Sequence, residues 1–312
     1  MIWKEFIDAE IRKLIEKKKK DPQYSKLSLE DLKKLFLREI ARWLEFKRGV
    51  RFEEFLILQK ETINKAEKNL ISRFILKRLS GLPLAYILGE VDFSNLKIKV
   101  NKHTLIPRPE TEELADLVTD YIRQYSKPID LIEIGTGSGC LGLSIIKKIN
   151  KKASVCLVDI SKPALRIAKL NSEINKIDSQ NLKFIQSNLL NFLKQEKSII
   201  DSKKRLIIAA NLPYISEKEY QSLSLEVKNN EPKKALAGGK KGSELINKLI
   251  DQVFELIIKK NPKKEISIFI EASPTTIPDI KQHIKDKKYL LHTEEIKDCS
   301  GKIRFLELNT KH

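Results

Sequence analysis

LIEIGTGSGCLGLSI, residues 131–145, reads as a strand, a glycine-rich turn and the start of a helix. Glycines let a backbone turn tightly and approach a ligand closely. The helix that follows offers N–H groups without intrahelical partners. Two glycine registers compete. Gly137, Gly139 and Gly142 satisfy G-x-G-x-x-G, the dinucleotide fingerprint, but Gly137 lies two residues past the point where the apolar strand ends. Gly135, Gly137 and Gly139 instead begin directly at the strand end, interleaved with Thr136 and Ser138. Acidic Glu133 lies two residues upstream.

Outward from this stretch, short β-rich runs alternate with helical patterns. DLIEI, SVCLVD, LKFIQ, RLIIAAN and EISIFIE are candidate strands, and helices beginning near Gly139, Lys162 and Gly242 separate several of them. The alternation predicts an α/β fold, a parallel sheet covered by helices on both faces. Ligands in such sheets bind beyond the carboxyl ends of the strands. Asp159 ends SVCLVD one strand–helix–strand unit after the glycine turn, where a carboxylate can accept both hydroxyls of a ribose. Asn188-Leu189-Leu190 follows the third strand. Asn211-Leu212-Pro213-Tyr214 closes the fourth, so all of these share one edge.

Upstream, from Trp3 to about Leu79, apolar residues recur at helical spacing: Phe6, Ile11, Leu14 and Ile15; Leu32, Leu35, Phe36, Ile40 and Leu44; Phe52, Phe55, Leu56 and Leu58. Ser28, three residues before Asp31, forms an approximate capping box. The segment reads as a small helical bundle. Ser80-Gly81 and Pro83 break it, and AYILGEVDF with LKIKV suggests a β-hairpin. Pro107 and Pro109 flank Arg108, and Thr111 is expected to open the next helix with Glu112 and Glu113 in its first turn.

The 312 residues exceed what one core usually organises, so two domains are expected. A hydrophobic fraction of 41% with 33% charged residues is that of a soluble globular chain. The N-terminal segment lacks the apolar core of a signal peptide, and no run approaches the roughly 20 apolar residues of a membrane span. Cys140, Cys156 and Cys299 form no CxxC pair, which argues against a disulfide framework or zinc site, so a reduced, cytoplasmic protein without a metal is expected. The net charge of +18 comes mainly from lysines spread along the whole chain, and is read as a solvated surface rather than a nucleic-acid face.

Asn211-Leu212-Pro213-Tyr214 combines a side-chain amide, a carbonyl aimed by the following proline, and an aromatic ring. These groups can accept both protons of a planar amide or amino nitrogen and stack on its plane, leaving the nitrogen directed at an electrophilic methyl group. Amide nitrogen is a poor nucleophile because its lone pair is delocalised. Catalysis would therefore rest on proximity and preorganised dipoles rather than on a strong base. At this level both a side-chain amide and an adenine remain open as acceptors.

The loop from Gly135 to Gly139 resembles the donor loop of class I S-adenosylmethionine methyltransferases, which have a Rossmann-like sheet. In that setting Glu133 would lie near the cationic amino end of the donor. More specifically, the chain resembles the HemK-like protein-(glutamine-N5) methyltransferases of peptide chain release factors. RLSGLPLAYILGEVDF, TLIPRPETEEL, VDISKPALRIAKLN, VKNNEPKKALAGGKKG and DCSGKIRF carry the likeness. The resemblance implies S-adenosylmethionine as cofactor and class I release factors as partners, the acceptor being the glutamine of their Gly-Gly-Gln loop. It implies donor contacts from Gly135, Thr136, Gly137, Ser138, Gly139, Asp159, Asn188, Leu189 and Asn211. The glutamine clamp is Asn211, Leu212, Pro213 and Tyr214. It also implies a helical substrate-recognition domain over 1–82, a hairpin linker over 83–106 and a methyltransferase domain over 107–312.

Three departures stand out. Leu212 replaces the usual proline, Asn188 stands where aspartate is common, and EASPTTIPD lacks the glycine and glutamine often found after Glu271. Asn-Leu-Pro-Tyr is the form found in ribosomal RNA adenine dimethyltransferases, so RNA adenine N6-methylation is the leading alternative. A glutamine of a ribosomal protein is the closer one, and a non-enzymatic donor-binding scaffold ranks last. Against RNA stand the IPRPETE segment and a helical domain that precedes the sheet.

Overall fold

The computed structural model describes residues 1–126, 128–149, 153–178, 180–289 and 291–310. Two compact units divide the chain. One comprises Met1–Gly89 with Ser222–Asn230, and the other Glu90–Gln221 with Glu231–His312.

The first unit is helical: α1 (Trp3–Lys18), α2 (Leu29–Arg48), α3 (Phe52–Leu58), α4 (Lys65–Leu79) and α5 (Leu84–Leu88). Ser28 caps α2 as its sequence suggests, its hydroxyl accepting from the Asp31 N–H at 3.1 Å. Gly49 ends that helix in the left-handed conformation. Ile11, Leu14, Leu32, Phe36, Ile40 and Leu44 are buried in one core with Phe55, Ile71 and Phe74. The periodic reading fails in α3, where Phe55 is buried but Phe52 and Leu56 are exposed. With only seven residues, this helix turns a single residue fully into the core.

The second unit opens with a hairpin, β1 (Glu90–Phe93) and β2 (Leu96–Lys99), paired antiparallel. Ser94 and Asn95 form its two-residue loop with φ of 46° and 63°, the geometry that suits the twist of a tight hairpin. Then come α6 (Pro109–Arg123), β3 (Ile129–Ile134), α7 (Cys140–Lys148), β4 (Ala153–Asp159), α8 (Lys162–Ile174), β5 (Leu182–Gln186) and α9 (Ser198–Asp201). β6 (Arg205–Ala210), β7 (Ile215–Ser216) and α10 (Glu217–Gln221) precede α11 (Leu225–Asn230), which belongs to the helical unit. β8 (Ala237–Gly239), α12 (Glu244–Val253), β9 (Ile266–Glu271), α13 (Ile277–Asp286), β10 (Leu291–Lys297) and β11 (Ile303–Thr310) complete the described chain. Asn171 of α8 anchors the hairpin, exchanging hydrogen bonds with the Lys99 N–H (2.7 Å) and carbonyl (3.0 Å).

All five candidate strands form, in a seven-stranded sheet of order β10-β11-β9-β6-β3-β4-β5. Every residue of β3 and of β9 is buried, as expected for strands covered on both faces. The sheet is mixed rather than purely parallel, because β11 runs antiparallel to β9 and β10 antiparallel to β11. A short connection brings β10 back as β11 without a crossover helix, and only an antiparallel pair permits that. The path runs outward from β3 through β4 to β5, then returns to β6 on the other side. The carboxyl ends of β3 and β6 therefore flank the topological switch point, where such sheets bind ligands. Among the described residues, no helix is long and apolar enough to cross a membrane.

Candidate active site

Parallel register brings the two key motifs together. Ile134 of β3 pairs with Ala210 of β6, so Gly135 and Asn211 leave the sheet side by side. Gly135, Gly137 and Gly139 all have positive φ, at 76°, 54° and 81°. Their loop is held from β4: the N–H groups of Gly135 and Thr136 both donate to the Val158 carbonyl, at 2.8 and 3.0 Å. A Cβ at Gly135 would lie 2.9 Å from Leu212 Cδ2, whereas one at Gly137 would meet nothing nearer than the Gly135 carbonyl at 4.0 Å. The loop is thus packed at Gly135 and open at Gly137.

Asp159 borders that open side. Its Oδ2 accepts from the Gly137 N–H at 2.8 Å and its Oδ1 from the Ser161 N–H at 2.7 Å, which fixes the carboxylate plane. Partial burial raises its pKa and these backbone donors oppose the rise. A left-handed glycine with open space above it, next to an oriented carboxylate, fits an adenosine-bearing donor whose ribose hydroxyls Asp159 would accept.

Glu133 is engaged by the loop and helix that follow it. It is buried beneath the loop, where its Oε2 accepts from Thr136 Oγ1 at 2.5 Å and from the Gly142 N–H at 3.1 Å. Desolvation pushes its carboxyl up to about 8, against the pull of those two donors. Gly142 belongs to the packing of α7 rather than to the turn. A Cβ there would come within 2.5 Å of both Glu133 Oε2 and Leu157 Cδ2. The competing glycine registers are therefore both used, 135/137/139 for the turn and 142 for helix–strand approach. Ser138 is buried, and its carbonyl accepts from Asn171 Nδ2 at 2.8 Å.

Asn188 is exposed and caps the 3₁₀ turn Leu189–Lys194 without a side-chain hydrogen bond. Leu189 is buried in the sheet core with φ of 53°, a conformation that costs a branched residue roughly 1–3 kcal/mol.

At the acceptor motif, Asn211, Pro213 and Tyr214 are half-buried, whereas Leu212 is buried. The Leu212 side chain joins the sheet core and covers Gly135. Asn211 Nδ2 donates to Thr111 Oγ1 at 2.8 Å, and Thr111 Oγ1 donates to Glu271 Oε2 at 2.8 Å. Tyr214 Oη donates to Glu271 Oε1 at 3.0 Å. Glu271 is fully buried at the end of β9, and desolvation raises its pKa to about 7. Burial, with Glu271 alongside, also raises the Tyr214 phenol.

Thr111 does not open α6. That helix starts at Pro109, with Arg108 as its N-cap, so Thr111 sits buried in the first turn. Proline is favoured at the first helical position because its missing N–H has no partner there anyway. Behind the motif, β7 pairs with β8, and a Cβ at Gly238 would lie 2.4 Å from the Pro213 carbonyl and 2.8 Å from Tyr214 Cα. Glu231 links two sequence motifs, accepting from the Ile106 N–H at 3.0 Å and from Arg108 Nη2 at 2.6 Å.

A family model described as "Methyltransferase domain" matches residues 126–298, more than half of the chain. The release factor glutamine methyltransferase of Borreliella burgdorferi is 37% identical over 81% of this chain and 82% of its own length. The chain belongs to the release factor glutamine methyltransferase family. The Bacillus subtilis member is 32% identical over 82% of this chain and 85% of its own. Among solved structures, the hMettl16 catalytic domain in complex with a MAT2A 3′UTR hairpin aligns with a TM-score of 0.50 at 16% identity. It covers 69% of this chain and 75% of that one, a likeness of fold.

Sequence reasoning missed Thr111, Glu271 as a partner of the clamp, and Gly238 as its backing. Thr111 and Glu271 lie far apart in the chain, so no local pattern joins them. The one available signal was the pair of glycines at 238–239, which marks close backbone approach.

Proposed function

We propose that this chain methylates the side-chain amide N5 of the glutamine in the Gly-Gly-Gln loop of class I peptide chain release factors, using S-adenosylmethionine. The observation that carries this reading is the fixed Asn211 amide. Its Nδ2 is committed to Thr111, which leaves Oδ1 as the acceptor for one proton of an incoming amide. The Leu212 carbonyl accepts the other. Tyr214, tied by its hydroxyl to Glu271, supports the face of the amide plane. The donor, when bound, supplies an electrophilic methyl group on a sulfonium. Gly135 to Gly139, Asp159, Asn188, Leu189 and Asn211 are the residues proposed to hold it. The chain's own contribution is alignment: the acceptor nitrogen keeps its position while its protons rest on oxygen acceptors, and one proton leaves during or after attack.

Leu212 is the feature that favours RNA adenine as acceptor. Its side chain is buried against Gly135 and the sheet core, so the residue type reflects packing and does not discriminate between acceptors. The helical unit is proposed to grip the protein substrate. Release factors work on the ribosome, so the reaction belongs in the cytoplasm.

Peptide mapping by mass spectrometry of a release factor incubated with enzyme and donor should place a single methyl group on the loop glutamine. The Gln→Ala loop variant should remain unmodified. A methyl group found elsewhere, or retained in that variant, would refute the assignment.

A further inference from the structure

We infer that Thr111 and Glu271 are positioning residues that set the donor–acceptor polarity of the substrate-amide site, through the chain Glu271–Thr111–Asn211. The inference rests on the proposed acceptor chemistry and adds residues outside the clamp itself. An ionised carboxylate only accepts hydrogen bonds. Thr111, 2.8 Å from Glu271 Oε2, must therefore direct its single hydroxyl proton to that oxygen. Its lone pairs are then all it can offer Asn211, which must present Nδ2 at 2.8 Å. The Asn211 amide is planar, so Oδ1 is turned the other way, as an acceptor. One buried charge thus dictates the orientation of an amide two hydrogen bonds away. Without it, oxygen and nitrogen of that amide are nearly equivalent in shape, and either could face the substrate.

The arrangement is built from three separate elements. Glu271 ends β9, Asn211 follows the adjacent strand β6, and Thr111 lies in the first turn of α6. Thr111 is 2% exposed and Glu271 0% exposed, so bulk water does not compete for these bonds. The second carboxylate oxygen takes the Tyr214 hydroxyl, so the same charge also fixes the aromatic side of the clamp.

Protonation of Glu271 would let it donate to Thr111, which could then donate to Asn211 Oδ1 and reverse the amide. The charged and titratable groups acting with Glu271 are Tyr214 after β6, Glu110 on α6, Arg304 on β11 and Cys140 on α7. Burial outweighs the lowering effect of Thr111, Tyr214 and Arg304, and the carboxyl titrates near 7. The relay has the correct polarity above that pH and loses it as pH falls through it.

The test compares wild type, Thr111→Val, Thr111→Ser and Glu271→Gln in the full-length enzyme. It uses a purified release factor as acceptor and calorimetric titration of S-adenosylhomocysteine as the probe of donor binding. Thr111→Val keeps the shape but removes the hydroxyl, and should lower kcat roughly a hundredfold, as loss of one preorganised dipole does, with product affinity unchanged. Thr111→Ser should restore most of the rate. The wild-type rate should climb with pH through about 7, and Glu271→Gln should be slower and lack that limb. Wild-type turnover in Thr111→Val, or an acid limb retained in Glu271→Gln, would overturn the inference. So would parallel loss of kcat and donor affinity in Thr111→Val without rescue by serine. Failure of wild type to label the release factor would instead refute the proposed function.

Discussion

At Gly238 the constraint on the acceptor motif is steric and local. The backbone of residues 213 and 214 passes so close that a methyl group would lie 2.4 Å from one carbonyl and 2.8 Å from a Cα. Neither contact is with the end of a flexible side chain, so the backbone must move. Gly238→Ala should displace Pro213 and Tyr214 and reduce methyl transfer by roughly a hundredfold, the cost of an ångström-scale misplacement. Donor binding, proposed to centre on the Gly135–Gly139 loop, should survive. Steady-state transfer and S-adenosylhomocysteine titration on the same variant check this, and undiminished transfer would show that the segment does not need its present course. Leu212 shows the complementary case. The direction of its carbonyl, proposed to hold the substrate amide, is read from the following proline. The side-chain contact with Gly135 is not, because it depends on two strands ending at the same level.

At the scale of elements, β3, β6 and β9 were legible as apolar runs covered on both faces, β5 despite being an edge strand with no fully buried residue, and the glycine turn because its residues adopt φ values that other residues avoid. Thr111 was misread because a threonine followed by glutamates is also a helix-start pattern. Proline two residues earlier takes the first helical position and leaves the threonine free for a partner 160 residues away. For Glu133, nothing in sequence reveals that its carboxylate is engaged by Thr136 and the Gly142 N–H. Helix α11 belongs to the same class of non-local feature. Glu226 on it reaches Arg78 Nη1 at 3.1 Å and Lys18 Nζ at 2.5 Å, while Arg78 also pairs with Glu39. Arg78 is 1% exposed and Lys18 5% exposed, so both cations depend on these carboxylates. Glu226→Ala should destabilise the helical unit by about 3–5 kcal/mol, the usual cost of leaving a buried charge without its partner. Urea denaturation followed by far-ultraviolet circular dichroism measures it, and an unchanged midpoint would mean that solvent reaches these groups.

On the scale of the whole molecule, the chain is organised as a helical unit and a methyltransferase unit, and the sequence order of the two is interrupted once, by residues 222–230. That interruption follows directly after the acceptor motif and its short α10, in a region whose local composition carries no sign of it. The net charge of +18 is a property of the entire surface and leaves RNA open as an acceptor on electrostatic grounds alone. The choice between protein glutamine and RNA adenine can be forced by a single competition. Limiting enzyme and a radiolabelled methyl donor are mixed with a release factor and deproteinised ribosomal RNA in the same tube, and the two acceptors are then separated and counted. Label confined to the release factor, and absent when its loop glutamine is replaced by alanine, is the predicted result; label in the RNA with the release factor unmodified would contradict it.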